Sequence, residues 1–511
     1  MANLYALIQQ TLHSRGDAVI VDSGQRRISA LQLDGHVAQY ANALRSLGIA
    51  PRDRIAVQVE KSVENVLLYL AALRVGAVYL PLNSAYQAAE IQYFLGDASP
   101  RVFVADPARE TELRRVADST GVSSLVTLGT DANGTLVQLA ASQASTSPVE
   151  SRSGDDLAVI CYTSGTTGRS KGAMITHGNL ISNAGALIAI WEFTHDDVLL
   201  HALPLYHIHG LFVALHCALL SGARILLEPK FDARNALASL QQATVMMGVP
   251  TFYTRLLNEA ALNRDTVSNV RLFVSGSAPL LAETFAAFEQ RTGRRILERY
   301  GMTETGMIAS NPLHGERRAG TVGLPLPDVS VRIVGASGDV LPDGSVGMVE
   351  VRGPNVFKGY WNLPEKTAAE LRSNGYFITG DLGLIEADGY LRLIGREKDL
   401  IISGGLNVYP KEIEDAIDAL PGVGESAVFA IPHPDFGEAV AAAVTLQAGA
   451  TLAATEIIAA LRTQLAGFKT PKRVYLIDEL PRNAMGKVQK NVLRANYGDA
   501  VTKARAERPV G

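Results

Sequence analysis

The sequence predicts an α/β protein with a large N-terminal domain of layered α/β sheets, a β-rich subdomain and a small, mobile C-terminal α+β domain. Three observations predict it. A chain of 511 residues exceeds what one hydrophobic core supports, so at least two domains are expected. Short apolar runs alternate with helical segments from about residue 50 to 275, the βαβ pattern of largely parallel sheets. Near residue 320 the pattern changes to alternating strands punctuated by Gly and Pro.

The elements of the large domain follow one another as strand, helix and strand. Val66–Leu82 is long and apolar, but Arg74, Gly76 and Pro81 interrupt it. We therefore expect a buried helix over Val66–Leu73 and then a strand, not a membrane span. The other predicted strands are Ile55–Val59, Arg101–Ala105, Leu125–Leu128, Leu157–Cys161, Val198–Leu200, Arg224–Leu227, Thr244–Met247 and Leu272–Ser275.

The second half of the chain supplies the subdomain and the C-terminal domain. We place the boundary before Lys398, which gives an N-terminal domain over residues 1–397 and a C-terminal domain over residues 398–511. The predicted elements are strands Val329–Val334 and Met348–Arg352 in the subdomain, and helix Pro410–Ala419 with strands Ser426–Ile431 and Val440–Leu446 in the C-terminal domain.

Composition and charge exclude several classes of function. The chain is 47% hydrophobic and 19% charged, as in ordinary globular proteins. Its net charge is -4 and it has no long Lys/Arg run, which argues against nucleic acid or a membrane as partner. Cys161 and Cys217 form neither a zinc motif nor a disulfide framework. Because the N-terminus lacks a signal-peptide pattern, we expect a cytoplasmic protein.

A glycine- and hydroxyl-rich loop follows the strand that ends at Cys161. It reads YTSGTTGRSKG, and its glycines allow a phosphate to approach the backbone while Lys171 adds positive charge. We expect a helix after it. Gly172 follows the lysine where a Walker loop has Ser or Thr, so this is a different nucleotide loop or, alternatively, a flexible linker. The predicted nucleotide contacts are Thr163, Ser164, Gly165, Thr166, Thr167, Gly168 and Lys171.

This loop resembles the signature of the adenylate-forming superfamily of acyl-CoA synthetases, firefly luciferases and adenylation domains. Four further motifs appear in the order of that superfamily: ERYGMTE at 298–304, YFITGD at 376–381, GREKDLIISGG at 395–405 and PRNAMGK at 481–487. The resemblance implies an enzyme that joins a carboxylic acid to AMP, releases pyrophosphate, and then transfers the acyl group to coenzyme A. ATP, Mg²⁺ and CoA are the implied cofactors and co-substrates.

The ERYGMTE motif combines groups suited to a nucleotide. Tyr300 offers a flat face to a purine, and Glu304 is a hard carboxylate suited to Mg²⁺, with Thr163 as the second predicted metal contact. Without the motif, Glu304 would be interpreted as a solvated surface acid. The resemblance assigns Glu304 a catalytic role and assigns nucleotide contacts to Gly276, Ser277, Glu298, Arg299, Tyr300, Gly301, Met302 and Thr303.

Three charged residues in the later motifs complete the predicted adenylation site. The Asp381 carboxylate can accept hydrogen bonds from the ribose hydroxyls, with Arg396 as a further nucleotide contact. Lys487 is predicted to neutralise the charge that builds up when a carboxylate attacks the α-phosphate. Asn483 departs from the Thr of the commoner motif, a polar-for-polar change. Because acetylation would remove the charge of Lys487, a lysine acetyltransferase acting there is a further predicted partner.

The resemblance also implies a swinging C-terminal domain. Lys398 aligns with the hinge position of the superfamily, where such motion would first exclude water and later admit the CoA thiol. The predicted CoA contacts are Ser403, Gly404 and Gly405.

The identity of the acid is predicted from Arg255 in GVPTFYTRL. A pocket for a plain fatty acid should be apolar, whereas an arginine suits the second carboxylate of a diacid. This region resembles malonyl-CoA synthetases, and Ser275 is a predicted neighbour of the same carboxylate. His207 in LPLYHIHGLF is predicted to lie near the reacting carboxylate. Alternatively, Arg255 faces solvent near Glu259.

We therefore predict a malonate or methylmalonate CoA ligase. The alternatives are a synthetase for another short or medium acid, an adenylation domain that loads a carrier protein, and a module that binds nucleotide without turnover. The intact Lys487, Glu304 and Asp381 argue against the last of these.

Overall fold

The computed structural model describes residues 3–163, 170–403, 406–433, 436–483 and 486–498. Within these residues the α-helices are α1 (Leu4–Arg15), α2 (Ala30–Ser46), α3 (Val63–Arg74), α4 (Ala88–Ala98), α5 (Glu110–Ser119), α6 (Thr135–Ala141), α7 (His177–Trp191), α8 (Leu215–Ser221), α9 (Ala233–Leu240), α10 (Pro250–Leu257), α11 (Ala282–Thr292), α12 (Pro364–Glu370), α13 (Pro410–Asp418), α14 (Ala454–Arg462) and α15 (Lys490–Tyr497).

The strands of the described residues are β1 (Val19–Asp22), β2 (Arg27–Ser29), β3 (Arg54–Gln58), β4 (Val78–Pro81), β5 (Val102–Ala105), β6 (Ser124–Thr127), β7 (Leu157–Thr163), β8 (Lys171–Thr176), β9 (Val198–His201), β10 (Arg224–Leu227), β11 (Val245–Gly248), β12 (Leu272–Ser275), β13 (Ile296–Met302), β14 (Gly306–Ser310), β15 (Leu324–Pro325), β16 (Ser330–Val334), β17 (Gly347–Arg352), β18 (Phe377–Ile385), β19 (Leu391–Arg396), β20 (Ile401–Ser403), β21 (Leu406–Val408), β22 (Val423–His433), β23 (Gly437–Leu446) and β24 (Arg473–Leu476).

The chain divides into two compact units. The first comprises Met1–Val331 and Val351–Phe377, and the second comprises Arg332–Glu350 and Ile378–Gly511. The second unit is therefore discontinuous in sequence. The domain boundary predicted before Lys398 falls inside the second unit and stays a prediction.

A six-stranded sheet in the first unit has the order β6-β5-β3-β4-β7-β8. Its inner pairs are parallel, as the βαβ rhythm of the sequence predicts. Helix α3 is buried at every residue, including Glu64 and Arg74. These two charges are compensated, because Glu64 pairs with Arg26 at 2.7 Å and Arg74 with Asp34 at 2.7 Å. The apolar stretch that includes α3 is thus a core element, as predicted.

A nine-stranded sheet in the same unit has the order β15-β14-β13-β12-β11-β9-β10-β1-β2. Strands β9 to β13 are parallel, so the carboxyl ends of β11, β12 and β13 meet at one edge. Its core holds large side chains such as Tyr253, Phe273 and Phe288. Loops at the carboxyl ends of parallel strands are the usual position of ligand sites in α/β folds.

The element after the glycine-rich loop is a strand, and the predicted helix there is wrong. β8 pairs antiparallel with β7, with Thr163 opposite Lys171. The residues after Lys171, GAMIT, include β-branched and apolar side chains that suit a strand. A helix begins only at His177, where the Thr176 hydroxyl accepts the backbone N–H of Asn179 at 3.1 Å.

The second unit contains most of a four-stranded sheet and a complete five-stranded sheet. The first of these has the order β16-β17-β18-β19, in the region where the sequence predicts a β-rich subdomain. The five-stranded sheet has the order β21-β20-β23-β22, with β24 beside β23. Helix α13 buries Ile413 and Ile417 in its apolar core. The predicted α+β character of this region is confirmed.

In the parts of the chain that the structure describes, every helix is too short or too polar to cross a lipid bilayer.

Candidate active site

The carboxyl ends of three neighbouring strands form one edge of the candidate site. Gly248, Ser275 and Glu298 lie side by side in β11, β12 and β13. Arg299 follows Glu298 and is 3% exposed. Gly276 leaves room for it, because a Cβ atom at residue 276 would lie 2.3 Å from the Arg299 Cζ atom. A glycine after β12 thus allows a guanidinium to lie against the backbone.

Arg299 is buried with open hydrogen-bond donors. Its Nε and Nη2 atoms, like the Ser275 hydroxyl, have no hydrogen-bond partner among the residues that the structure describes. Burial lowers the pKa of Arg299 to about 9, against the opposing effects of Tyr253 and Glu298. The guanidinium therefore remains charged at neutral pH. A buried cation with open donors favours an anionic ligand.

His207 and His209 lie at the start of a π-helix, His209–Ala214. The backbone N–H of His209 donates to Nδ1 of His207 at 3.4 Å, so a neutral His207 ring carries its proton on Nε2. Burial, and then the charge of Arg299, lowers the pKa of His207 to about 4. His207 is therefore neutral at pH 7. The His209 ring is fully buried and its Nδ1 lies 3.3 Å from the Ser277 hydroxyl.

The ERYGMTE motif leaves β13 in a turn that buries Glu304. Tyr300 and Glu304 are 7% and 6% exposed. The backbone N–H of Phe357 donates to the Glu304 carbonyl at 2.8 Å, and the Tyr360 hydroxyl donates to Glu304 Oε1 at 3.0 Å. The interpretation of Glu304 as a solvated surface acid is therefore wrong. Gly301 and Met302 at the end of β13 and Thr303 in the turn are partly buried.

Lys171 of the glycine-rich loop is joined to the surroundings of Glu304. Its Nζ atom lies 3.4 Å from Glu370 Oε1 and 4.3 Å from the centre of the Tyr360 ring. The Thr163 hydroxyl donates to the Lys171 carbonyl at 3.5 Å. Thr163 and Lys171 thus frame the loop. Its predicted nucleotide contacts Ser164, Gly165, Thr166, Thr167 and Gly168 lie outside the described residues.

The second unit brings Asp381 and Arg396 together across β18 and β19. The Arg396 Nε atom lies 2.7 Å from Asp381 Oδ1, and Asp381 is 5% exposed. Thr379 supports both residues: its hydroxyl accepts the Asp381 N–H at 3.0 Å and its carbonyl accepts from Arg396 Nη1 at 3.1 Å. A buried carboxylate fixed in this way is a suitable acceptor for vicinal hydroxyls.

Lys487 lies near the same pair of charges. Desolvation by its neighbours, and then the positive charge of Arg396, lowers the pKa of Lys487 to about 8, although Asp381 opposes the change. Much of the residue nevertheless remains exposed. Lys487 therefore carries a proton that is more easily lost than that of an ordinary lysine, and it is still mostly charged at pH 7.

The loop that carries Lys487 is closed by its own motif. The Asn483 side-chain oxygen accepts the Lys487 backbone N–H at 3.0 Å, and the Asn483 backbone N–H donates to the Lys487 carbonyl at 2.9 Å. Arg482 donates to the Gly486 carbonyl at 2.6 Å and pairs with Glu425 of β22. Asn483 thus performs a local capping function that Thr could also perform.

The predicted hinge and CoA residues lie in one stretch of the second unit. Lys398 is exposed, and its neighbour Asp399 pairs with Arg494 at 2.6 Å. Ser403 is buried at the end of β20. Gly404 and Gly405 lie outside the described residues.

Arg255 is exposed on α10, the helix that begins two residues after β11. Glu259, its suggested surface partner, pairs with Arg234 at 3.6 Å. The structure therefore leaves the role of Arg255 as a prediction. It also identifies Arg299 as the buried cation at the neighbouring strand ends.

Two comparisons of sequence agree with this geometry. Residues 8–361 match the AMP-binding enzyme family, and residues 412–487 match the AMP-binding enzyme C-terminal domain. The chain belongs to the AMP-binding enzyme family. Among curated members, a feruloyl-CoA synthase of an Amycolatopsis species is 34% identical over 94% of this chain and 96% of its own length. A mitochondrial malonate–CoA ligase of Bos taurus is 36% identical over 86% of this chain and 81% of its own.

Solved structures extend the likeness over almost the whole AMP-binding enzyme. The ATP-bound MatB of Rhodopseudomonas palustris is 50% identical, with a TM-score of 0.95 over 98% of this chain and 99% of that one. Together with the CoA-ligase relatives, this makes the protein an ATP-dependent, AMP-forming acid–CoA ligase. Its substrates are a small carboxylic acid, ATP and CoA.

Sequence reasoning missed Tyr360 and Glu370, which link Glu304 to Lys171. They lie 56 and 66 residues after Glu304 in FKGYW and TAAEL, outside the motifs that suggested function. Only the fold brings them to the site. The sequence offers only a Gly-Tyr pair at 359–360, which is typical of many structural turns.

Proposed function

We propose that the acid is malonate or its 2-methyl analogue. Relatives named malonate–CoA ligase support this, but others are named for feruloyl, indoleacetate and oxalate substrates. The choice of acid therefore rests on the charges of this chain.

The observation that carries the proposal is the buried Arg299 guanidinium with open Nε and Nη2 donors. Leaving such a cation unpaired is costly, so the natural ligand should bring an anion to it. A diacid has a second carboxylate for this purpose, and a plain fatty acid does not. Ser275, whose buried hydroxyl also has an open position in the described structure, would accept or donate one further hydrogen bond.

Arg255 is the second cation that we propose for this carboxylate. Its helix α10 follows β11, and the Gly248 carbonyl at the end of β11 accepts the Gly276 N–H at 3.2 Å. Arg299 approaches from the strand side and Arg255 would approach from the helix side. Two arginines at a fixed separation from the reacting centre would favour a short diacid over a long one.

The first half-reaction then uses the residues described above. The near carboxylate, held by the Nε2–H of the neutral His207, attacks the α-phosphorus of ATP, and the bond to pyrophosphate breaks. Lys487 would stabilise the negative charge that develops on the phosphate oxygens. Asp381 and Arg396 would hold the ribose, and Tyr300 would pack against the adenine, as in the motif-based prediction.

Mg²⁺ would be held by Glu304 and the Thr163 hydroxyl together with phosphate oxygens, and it would supply charge neutralisation at the triphosphate. The donor chemistry fits, because Glu304 is a buried carboxylate and the Thr163 hydroxyl is a further oxygen donor. One buried carboxylate plus substrate phosphates is the usual arrangement for this ion.

In the second half-reaction, the CoA thiol attacks the acyl carbonyl and AMP leaves. AMP is a good leaving group, so no enzyme nucleophile is required. We propose Lys398 as the hinge between the two half-reactions and Ser403, with the adjacent Gly404 and Gly405, as the CoA contacts.

Pyrophosphate release with malonate, methylmalonate, acetate and octanoate tests the proposal. We expect kcat/KM to be highest for the two diacids. Arg299→Met should lower kcat/KM for malonate roughly 100-fold or more, because one member of a buried ion pair is removed. KM for ATP should change little, because we assign Arg299 to the acid and not to the nucleotide, where the motif had placed it.

A preference for acetate or octanoate over both diacids would refute the malonate assignment while leaving the ligase activity intact. In that case the enzyme would serve another short or medium acid, an alternative that the exposed position of Arg255 favours. Arg255→Met, tested in parallel, shows whether Arg255 contributes to diacid preference in addition to Arg299.

A further inference from the structure

A short segment, Asn355–Trp361, lies between the strand that begins with Lys171 and the turn that carries Glu304. On one side it pairs with β8, where Tyr360 bridges antiparallel to Ala173. The backbone hydrogen bonds there are Lys358 N–H to the Met174 carbonyl at 2.9 Å, Met174 N–H to the Gly359 carbonyl at 2.9 Å and Trp361 N–H to the Gly172 carbonyl at 2.7 Å. We call Asn355–Trp361 the brace.

On its other side the brace holds the Glu304 turn. The Asn355 amide donates to the Thr305 carbonyl at 2.7 Å and to the Met307 carbonyl at 3.1 Å. The N–H of Phe357 donates to the Glu304 carbonyl, and the hydroxyl of Tyr360 donates to the Glu304 carboxylate. One segment therefore fixes both the backbone and the side chain of this acid.

The Tyr360 hydroxyl lies between two carboxylates. It is 3.0 Å from Glu304 Oε1 and 2.6 Å from Glu370 Oε2. Glu370 is balanced by Lys171 at 3.4 Å and Lys366 at 2.7 Å. A phenolic hydroxyl carries one proton, so the two acids share it. The ring is held separately, at 4.8 Å from the ring of Phe357.

We propose that Tyr360 is a positioning residue for magnesium-dependent ATP binding. Its hydroxyl orients the Glu304 carboxylate, and its ring and its bond to Glu370 hold Lys171 beside Tyr360. This inference rests on the proposed role of Glu304 as the metal-binding carboxylate. A hydrogen-bonded partner of a metal-binding carboxylate contributes to metal affinity because it fixes the orientation of the oxygen that binds.

Tyr360→Phe tests this role, because it removes the hydroxyl and keeps the ring. We expect the Mg²⁺ concentration for half-maximal acyl-adenylate formation, measured without CoA, to rise roughly tenfold or more. Conversion of pre-formed acyl-adenylate to the CoA thioester should stay within twofold of native. An unchanged Mg²⁺ dependence would overturn the inference.

Two control variants separate the hydroxyl from other effects. Tyr376 is also buried, and its hydroxyl lies 2.8 Å from the Ser330 hydroxyl, away from Glu304. Tyr376→Phe should leave the Mg²⁺ dependence as it is. Glu370→Gln should leave the half-maximal Mg²⁺ concentration within about threefold of native, because the Tyr360 proton can still reach Glu304. If Glu370→Gln shifts the Mg²⁺ dependence as much as Tyr360→Phe does, the charge of Glu370 is responsible and the inference fails.

Glu304→Gln distinguishes this inference from the proposed function. A large shift with Glu304→Gln and none with Tyr360→Phe would refute only the role of Tyr360. If neither variant shifts the Mg²⁺ dependence, the metal role of Glu304 is refuted as well. A melting temperature of Tyr360→Phe within a few degrees of native excludes partial unfolding as the cause.

Discussion

Lys487 is surrounded by groups that make its proton easier to lose. Desolvation and the nearby Arg396 lower its pKa to about 8, and its proposed role requires the charged form. A lysine with an ordinary pKa would remain charged throughout the usual assay range. The pH dependence of the first half-reaction should therefore follow the protonation of Lys487.

We expect acyl-adenylate formation to fall as the pH rises through 8, to about one tenth of its maximum near pH 9. Lys487→Arg should flatten the alkaline limb, because arginine keeps its charge there. Lys487→Gln, which removes the charge as acetylation would, should lower the rate at every pH. A native profile that stays level to pH 10 would contradict the assigned pKa or the role of this lysine.

The sequence identified which residues belong to the site better than it predicted whether they are buried or exposed. The motifs identify Arg299, Glu304 and Asp381, and the structure buries all three. The sequence could not distinguish the exposed Arg255 from the buried Arg299 as the cation next to Ser275. That distinction depends on Gly276, whose missing side chain makes the space, and therefore on strand register.

The loop of Lys487 is the element in which local hydrogen bonds have the most direct functional consequence. Asn483 closes it through the Lys487 backbone, and Arg482 ties it to β22 through Glu425. Among the described residues of this loop, Lys487 itself remains largely exposed. The loop should therefore be sensitive to loss of the cap.

Asn483→Ala should slow acyl-adenylate formation about fivefold, the effect of losing one hydrogen bond worth ~1 kcal/mol. Asn483→Thr, which retains an oxygen acceptor, should stay within twofold of native. Transfer from pre-formed acyl-adenylate to CoA serves as the internal reference and should not change. Equal losses in both half-reactions would indicate a general structural defect instead.

Secondary structure was predictable where periodicity is strong. The predicted strands Val198–Leu200, Arg224–Leu227 and Leu272–Ser275 agree with β9, β10 and β12 to within one residue. The helix predicted after the glycine-rich loop was wrong because GAMIT pairs with β7, a contact that depends on the hairpin and not on local pattern. The π-helix at His209–Ala214 has no comparable sequence signal.

At the scale of the whole molecule, burial changes pKa values in both units. It lowers the pKa of histidines in the first unit and raises the pKa of an aspartate in the second. In the first unit burial lowers the pKa of His177 to about 4, His207 to about 4 and His216 to about 3. In the second unit, burial raises the pKa of Asp418 to about 7. A group that titrates differently in the folded and unfolded states makes stability depend on pH.

The direction in which stability changes with pH follows from whether the folded or the unfolded state binds more protons. Unfolded histidines gain a proton below about pH 6.5, so the first unit should lose stability as the pH falls from about 6.5 to 4. Folded Asp418 keeps its proton up to about 7 but loses it near 4 when unfolded. Its contribution to the second unit should therefore be lost as the pH rises from about 4 to 7.

Each such group changes the free energy of unfolding by about 1.4 kcal/mol per pH unit within its window. Trp191 and Trp361 both belong to the first unit, so tryptophan fluorescence during urea unfolding reports that unit. Amide hydrogen exchange in β22 and β23 reports the second. Asp418→Asn should remove the loss of stability between about pH 4 and 7, in the second unit only. Parallel pH trends in the two units would contradict the prediction.

The discontinuity of the second unit limits how the gene can be divided. A fragment cut at residue 398 would separate β18 and β19 from the rest of their unit, and any fragment that begins after residue 350 would lack Arg332–Glu350. Expression of the last hundred or so residues alone would keep the sheet of β20 to β24 together but would lose the rest of their unit. A circular permutant or a split at a surface loop within either unit would be a better route to a two-part enzyme than truncation at residue 398.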